Sequence, residues 1–168
     1  MDTSLIAYVG FILLYRGVEN AIMAKQGTRQ RQPARDWTIN LIAVPFYLVT
    51  LTPILEYVML ERQPNTLTLF VGGVFFIIAT ALRAKGHLDL AQGFSMAIEE
   101  IEGQQLVTTG IYAHIRHPLY LGNLYYFIAC PLFLASTYSW LISAIGIVGI
   151  FVRIPIEEKF LLETMPEY

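Results

Sequence analysis

The stretch from Gln104 to Gly122 sets Tyr112, His114, Arg116, His117 and Tyr120 against the start of an apolar run. Those side chains suit a ligand that carries charge at one end. His117 stands immediately before Pro118, a residue that favours the first turn of a helix. It therefore takes the cap position, and the amides after it have no acceptor within that helix. A helix start of this kind favours an anion. Tyr112 and Tyr120 can pack on a ligand or hydrogen-bond it. Beyond the last apolar run, Arg153 and Glu157 lie four residues apart, on one helix face if the helix continues through Pro155. By themselves they read as an interfacial ion pair worth about 0.2–0.5 kcal/mol.

The elements that must position these residues are membrane helices. With 55% apolar and 14% charged residues and a mean hydropathy of +0.54, the chain is more apolar than a water-soluble domain. A net charge of −2 offers no basic face for nucleic acid. The single cysteine, Cys130, excludes a disulfide within one chain and reads as packing. Apolar runs predict an all-α membrane protein of one domain with about five spans, residues 4–24, 37–60, 67–84, 118–137 and 140–154. The first three approach the ~20 residues needed to cross the hydrocarbon, whereas the last is short, which leaves open a final hairpin that dips in and returns without a full crossing. The last two form a tight hairpin across Ser136-Thr137-Tyr138-Ser139, and residues 85–117 form a cytosolic segment that can begin as a helical extension from Gly86 and is an irregular or short-strand connection from Gln104 to Thr109. Every Lys and Arg except Arg62 falls on one side of this arrangement. That side should be cytosolic, with the N-terminus outside. Because Asp2 and no basic residue precedes the first apolar run, a cleavable signal is not expected. Pro45, Pro53 and Pro131 should kink their helices, while Gly72-Gly73 and Gly146 with Gly149 offer surfaces for close helix approach.

With Glu157 and Glu158 downstream, the pattern Leu106-Val107-x-x-Gly110-x-Tyr112-x-x-x-Arg116-His117-Pro118-x-Tyr120-x-Gly122 resembles that of the small integral-membrane methyltransferases. That family includes isoprenylcysteine carboxyl methyltransferases and phospholipid N-methyltransferases. The resemblance covers about Arg83 to Tyr168, whereas the first three spans match in length and hydropathy alone. It implies methyl transfer from S-adenosylmethionine to a lipid-like or prenylated acceptor, a carboxylate or an amine, at the cytosolic membrane face. It also implies cofactor contacts at Gln105, Leu106, Val107, Tyr112, His117, Pro118, Leu119, Tyr120 and Glu157, with Gln105 to Val107 on the adenine side. Glu157 and Arg153 become the catalytic pair, Arg153 turned towards the acceptor, where a guanidinium can hold a carboxylate or phosphate. Membrane lipids and a lipophilic acceptor are the expected partners.

Two other readings stay open on the sequence: a membrane reductase of the sterol-reductase-like type using NADPH, and a non-catalytic transporter or scaffold. Polar residues gathered at one membrane face rather than the midplane, and the lack of a repeat, count against the transporter. His87, Asp89, His114 and His117 do not have the spacing of a metal site, and no metal is expected. Arg16, Glu19 and Asn20 read as boundary charges of the first span. Glu56 lies near the outer end of the second, snorkelling or paired.

Overall fold

The computed structural model describes residues 2–25, 36–90 and 106–164. They form five helices: α1 (Thr3–Lys25), α2 (Asn40–Met59), α3 (Thr66–Leu90), α4 (Pro118–Phe133) and α5 (Ser139–Thr164). Two 3-10 turns, Trp37–Ile39 and Gly110–Ala113, precede α2 and α4, and no strand occurs among the described residues. Short polar residues start three of these elements. Asp2 Oδ1 accepts the Ser4 N–H at 3.0 Å, Asp36 Oδ1 that of Thr38 at 3.0 Å, and Asn65 Oδ1 that of Thr68 at 2.9 Å. Each satisfies an amide that a helical start leaves open.

The stretches Thr3–Lys25, Trp37–Met59, Thr66–Leu90 and Ser139–Thr164 are long and apolar enough to cross a bilayer. Their outward side chains agree: Leu13, Leu51, Phe70, Leu141 and Phe151 are all more than half exposed, a surface that suits lipid and not water. The fourth expected span is shorter than predicted. α4 ends at Phe133 after 16 residues, about 24 Å of helix at 1.5 Å per residue. Ala135 turns the chain with φ +52°, and Glu56 of α2 gathers the corner. Its carboxylate accepts the amides of Thr137 at 2.7 Å, Tyr138 at 2.9 Å and Ser139 at 3.1 Å, and the Ser136 hydroxyl. Glu56 is therefore a cap supplied to α5 by another helix, paired rather than snorkelling.

Two helices run past their expected membrane spans. α3 continues to Leu90 rather than residue 84, which brings His87 and Asp89 onto its last turns. α5 continues from 154 to Thr164 with Pro155 inside it. Pro155 is exposed, and its missing hydrogen bond does not stop a helix held by packing on either side.

α4 lies between α3 and α5, α2 packs on α5 and α1 on α3. Aromatic rings fill the centre, with Tyr126 of α4 4.5 Å from both Tyr15 of α1 and Phe46 of α2, centroid to centroid. Cys130 is buried beside them as a free thiol. The expected small-residue contacts are present. A Cβ on Gly72 would sit 2.7 Å from the Phe133 backbone, and one on Gly149 would collide with the Leu41 carbonyl. α3–α4 and α5–α2 thus approach at backbone distance.

Candidate active site

The helix starts and ends above determine which polar side chains meet. α4 begins at Pro118, with His117 as its cap in a non-helical conformation (φ −124°, ψ 64°) and no side-chain bond to the helix amides. Its imidazole turns instead to α5, where Nε2 lies 3.1 Å from Glu158 Oε1. Arg116, largely exposed, reaches the same oxygen at 3.8 Å. One turn into α4, the Tyr120 hydroxyl donates to the Glu157 carboxylate and accepts from Arg153 Nε at 2.8 Å. The phenol has one proton, so accepting from Arg153 leaves that proton for Glu157. Arg153 and Glu157 do share a helix face, as their spacing required, with the Tyr120 hydroxyl between them.

The rest of the Arg153 guanidinium is also engaged. NH1 donates to Thr38 Oγ1 at 2.6 Å, and NH2 lies 3.0 Å from Asp36 Oδ2, with the two side chains only 4% and 9% exposed. The expectation that Arg153 opens towards an acceptor meets a guanidinium already held by the turn ahead of α2.

Tyr112 arrives by another route. Its turn is fastened to α3 by Asp89, whose Oδ2 accepts the Ile111 N–H at 2.7 Å while Oδ1 takes Lys85 Nζ at 2.7 Å. Gly110 makes this possible: it holds φ +63°, and a Cβ there would run into the Asp89 carboxylate. Burial, then the negative charges of Glu157 and Asp89, push the Tyr112 phenol well above its ordinary range, with Arg83 opposing. Tyr112 is accordingly a neutral donor within reach of the Glu157 field.

Of the other expected contacts, Leu106 and Val107 are half-buried in an irregular stretch, as predicted for that segment, and Gln105 lies outside the described residues. Pro118 is buried at the first position of α4. Leu119 packs towards α3, where its Cδ2 would lie 2.7 Å from a Cβ on Gly86. His114 is exposed at the end of the 3-10 turn.

Sequence reasoning missed two groups. Asp36 and Thr38 lie at the edge of the 37–60 span, and nothing in their spacing singled them out. The second is a buried ionic cluster below the site, which replaces the boundary-charge reading of Glu19. Glu19 is 2% exposed; its carboxylate holds Arg83, Arg16 at 3.2 Å and His87 Nε2 at 3.2 Å. Asn123 Oδ1 accepts from Arg83 NH1 at 2.9 Å and from the Tyr15 hydroxyl at 3.1 Å. Charges placed within apolar helices were the available signal, since such residues face the bundle interior and find partners there.

None of the curated proteins matches the chain. A model of the isoprenylcysteine carboxyl methyltransferase family matches residues 71–163, which run from the first turns of α3 to the last turn of α5. The match covers more than half of the chain and includes every residue of the His117–Tyr120–Glu157 meeting point. Together with four helices fit to cross a bilayer, it makes this an integral-membrane protein that belongs to the isoprenylcysteine carboxyl methyltransferase family, a family of methyltransferases.

Proposed function

We propose that the protein transfers a methyl group from S-adenosylmethionine to an acceptor whose apolar part lies in the bilayer, at the cytosolic end of the bundle. The observation that carries this reading is the meeting of His117, Tyr120, Arg153, Glu157 and Glu158 where α4 begins and α5 emerges. S-adenosylmethionine, when bound, supplies an electrophilic methyl on a sulfonium, together with a carboxylate and an apolar adenine. The residues present fit those groups in kind. His117 and the open amides of the α4 start suit the carboxylate, while Glu157, bonded by the Tyr120 hydroxyl, suits the cation. Leu106 and Val107 offer half-buried apolar surface for the adenine.

Methyl transfer then asks the protein mainly to align the acceptor and exclude water. A carboxylate acceptor is a nucleophile as it stands. An ammonium acceptor must first lose a proton, and Glu157, Glu158 and His114 are candidates to take it. The cytosolic assignment rests on the basic residues: Lys25, Lys85 and Lys159 lie with the site, and Arg62 at the opposite end.

Thermal unfolding of the purified protein in detergent tests the reading. S-adenosylmethionine or its demethylated product should raise the unfolding temperature at saturation, and NADPH should not. Stabilisation by NADPH alone would make the protein a reductase, and a response to neither would leave a non-catalytic membrane protein.

A further inference from the structure

We infer that Asp36 is a positioning residue for methyl transfer: it holds the Arg153 guanidinium so that Arg153 Nε meets the Tyr120 hydroxyl, and so keeps the Glu157 carboxylate turned to Tyr120. The inference rests on the proposed function and extends it to a part of the chain before residue 71, outside the family match. Among the described residues, three groups direct Arg153: Asp36 on NH2 at 3.0 Å, Thr38 on NH1 at 2.6 Å and Tyr120 on Nε at 2.8 Å. Asp36 does this from a fixed place. Its other carboxylate oxygen accepts the Thr38 N–H and hydroxyl, and Leu41, one turn on, rests against Gly149, one turn before Arg153. The backbones of α2 and α5 therefore set where Asp36 and Arg153 face each other.

Glu157 is the reason that this matters. It lies four residues after Arg153 on the same helix, the spacing at which an arginine and a carboxylate pair directly. A buried guanidinium deprived of its counter-ion seeks another, and Glu157 is within that reach. With Asp36 present, Arg153 is neutralised from the α2 side and the Tyr120 hydroxyl stands between Arg153 and Glu157. With Asp36 neutral, Arg153 swings onto Glu157, Tyr120 loses both partners, and the carboxylate is no longer available to a sulfonium.

The experiment measures S-adenosylmethionine affinity by calorimetry and single-turnover transfer to a farnesylated cysteine and to phosphatidylethanolamine, in detergent. It compares wild type, Asp36→Asn, Tyr120→Phe and the double variant, with ligand-free thermal unfolding as the check on folding. Asp36→Asn should lower affinity and transfer together, on the order of 10- to 100-fold, the scale of a displaced contact. The double variant should be no worse than the poorer single one, because both act through one hydroxyl. Losses that multiply would make Asp36 merely structural, and Asp36→Asn equal to wild type would make it idle. Faster transfer to the farnesylated cysteine would make Asp36 a competitor for Arg153; each of these three results overturns the inference. If Asp36→Asn does not fold, Thr38→Val takes its place, removing a neighbouring acceptor but not the ion pair, with a smaller loss of the same pattern expected. A wild-type protein that neither binds the donor nor transfers would instead defeat the proposed function itself.

Discussion

The bundle engages carboxylates at both ends, and the two ends use them in opposite ways. At the end where α4 turns into α5, Glu56 is 4% exposed. It is satisfied by three consecutive backbone amides, two serine hydroxyls and Arg62 at 3.5 Å. Its amide and hydroxyl partners all belong to one corner of the chain. At the other end, Glu157 and Glu158 are half-buried and are held by side chains from α4, Tyr120 and His117. Backbone amides at a turn cannot move away without unfolding the turn, whereas a phenol or an imidazole can exchange one partner for another by rotating. A carboxylate committed to amides builds the fold; one held by mobile side chains can serve a ligand.

The largest effect should come from breaking the structural end. Glu56→Ala leaves three amides and Arg62 without a buried acceptor, and should cost about 3–5 kcal/mol of stability, the scale of removing one member of a buried pair. Unfolding in detergent reads this directly. Affinity of the folded protein for S-adenosylmethionine should stay as in wild type, and a matching loss of affinity would erase the distinction between the two ends.

Next comes the exchangeable end. His117→Ala should weaken binding of S-adenosylmethionine by about 1.5–3 kcal/mol, the worth of a hydrogen bond to a charged group. His114→Ala should do much less, because His114 is exposed and His117 sits at the α4 start. Calorimetric titration of the two variants decides it, and equal losses would remove His117 from the site.

The asymmetry between the ends explains which parts were legible in the sequence. His117 and Tyr120 were legible because Pro118 places a helix start at a defined residue, whereas spacing alone reads Arg153 and Glu157 as an ion pair, and Glu157 joins the candidate site only through the family resemblance. Helix lengths were less so: hydropathy marks where lipid ends and not where a helix ends, so the polar last turns of α3 and α5 were left out of their spans. The Glu56 corner was seen only as Ser136 to Ser139, since nothing local says that its cap comes from 80 residues earlier. Asp36 was hidden for a related reason. It lies at the edge of the 37–60 span, and the chain separation of 115 residues between Thr38 and Arg153 leaves no trace in spacing. The Glu19 cluster, spread over 64 and 68 residues to Arg83 and His87, was concealed in the same way.

The smallest expected effect belongs to Tyr112, whose phenol is held above its ordinary value of 10.0 by burial and by Glu157 and Asp89. A group with a raised folded value binds its proton more tightly folded than unfolded. Its contribution is full below the unfolded value and is lost as pH rises beyond it. Stability should therefore fall above about pH 10, and Tyr112→Phe should flatten that alkaline limb without altering stability near neutrality. Denaturant midpoints across pH 8–11 supply the test, and an unchanged limb would place Tyr112 away from the carboxylates.

The central claim, that Glu157 at the exchangeable end faces the cation of a methyl donor, is tested most directly by comparing two ligands that differ in that charge. Calorimetry with S-adenosylmethionine and S-adenosylhomocysteine on wild type and Glu157→Gln separates the sulfonium from the rest of the molecule. Glu157→Gln should weaken the charged donor by on the order of tenfold more than its neutral product, about 1.4 kcal/mol of difference. Equal losses for both ligands, or none for either, would contradict it.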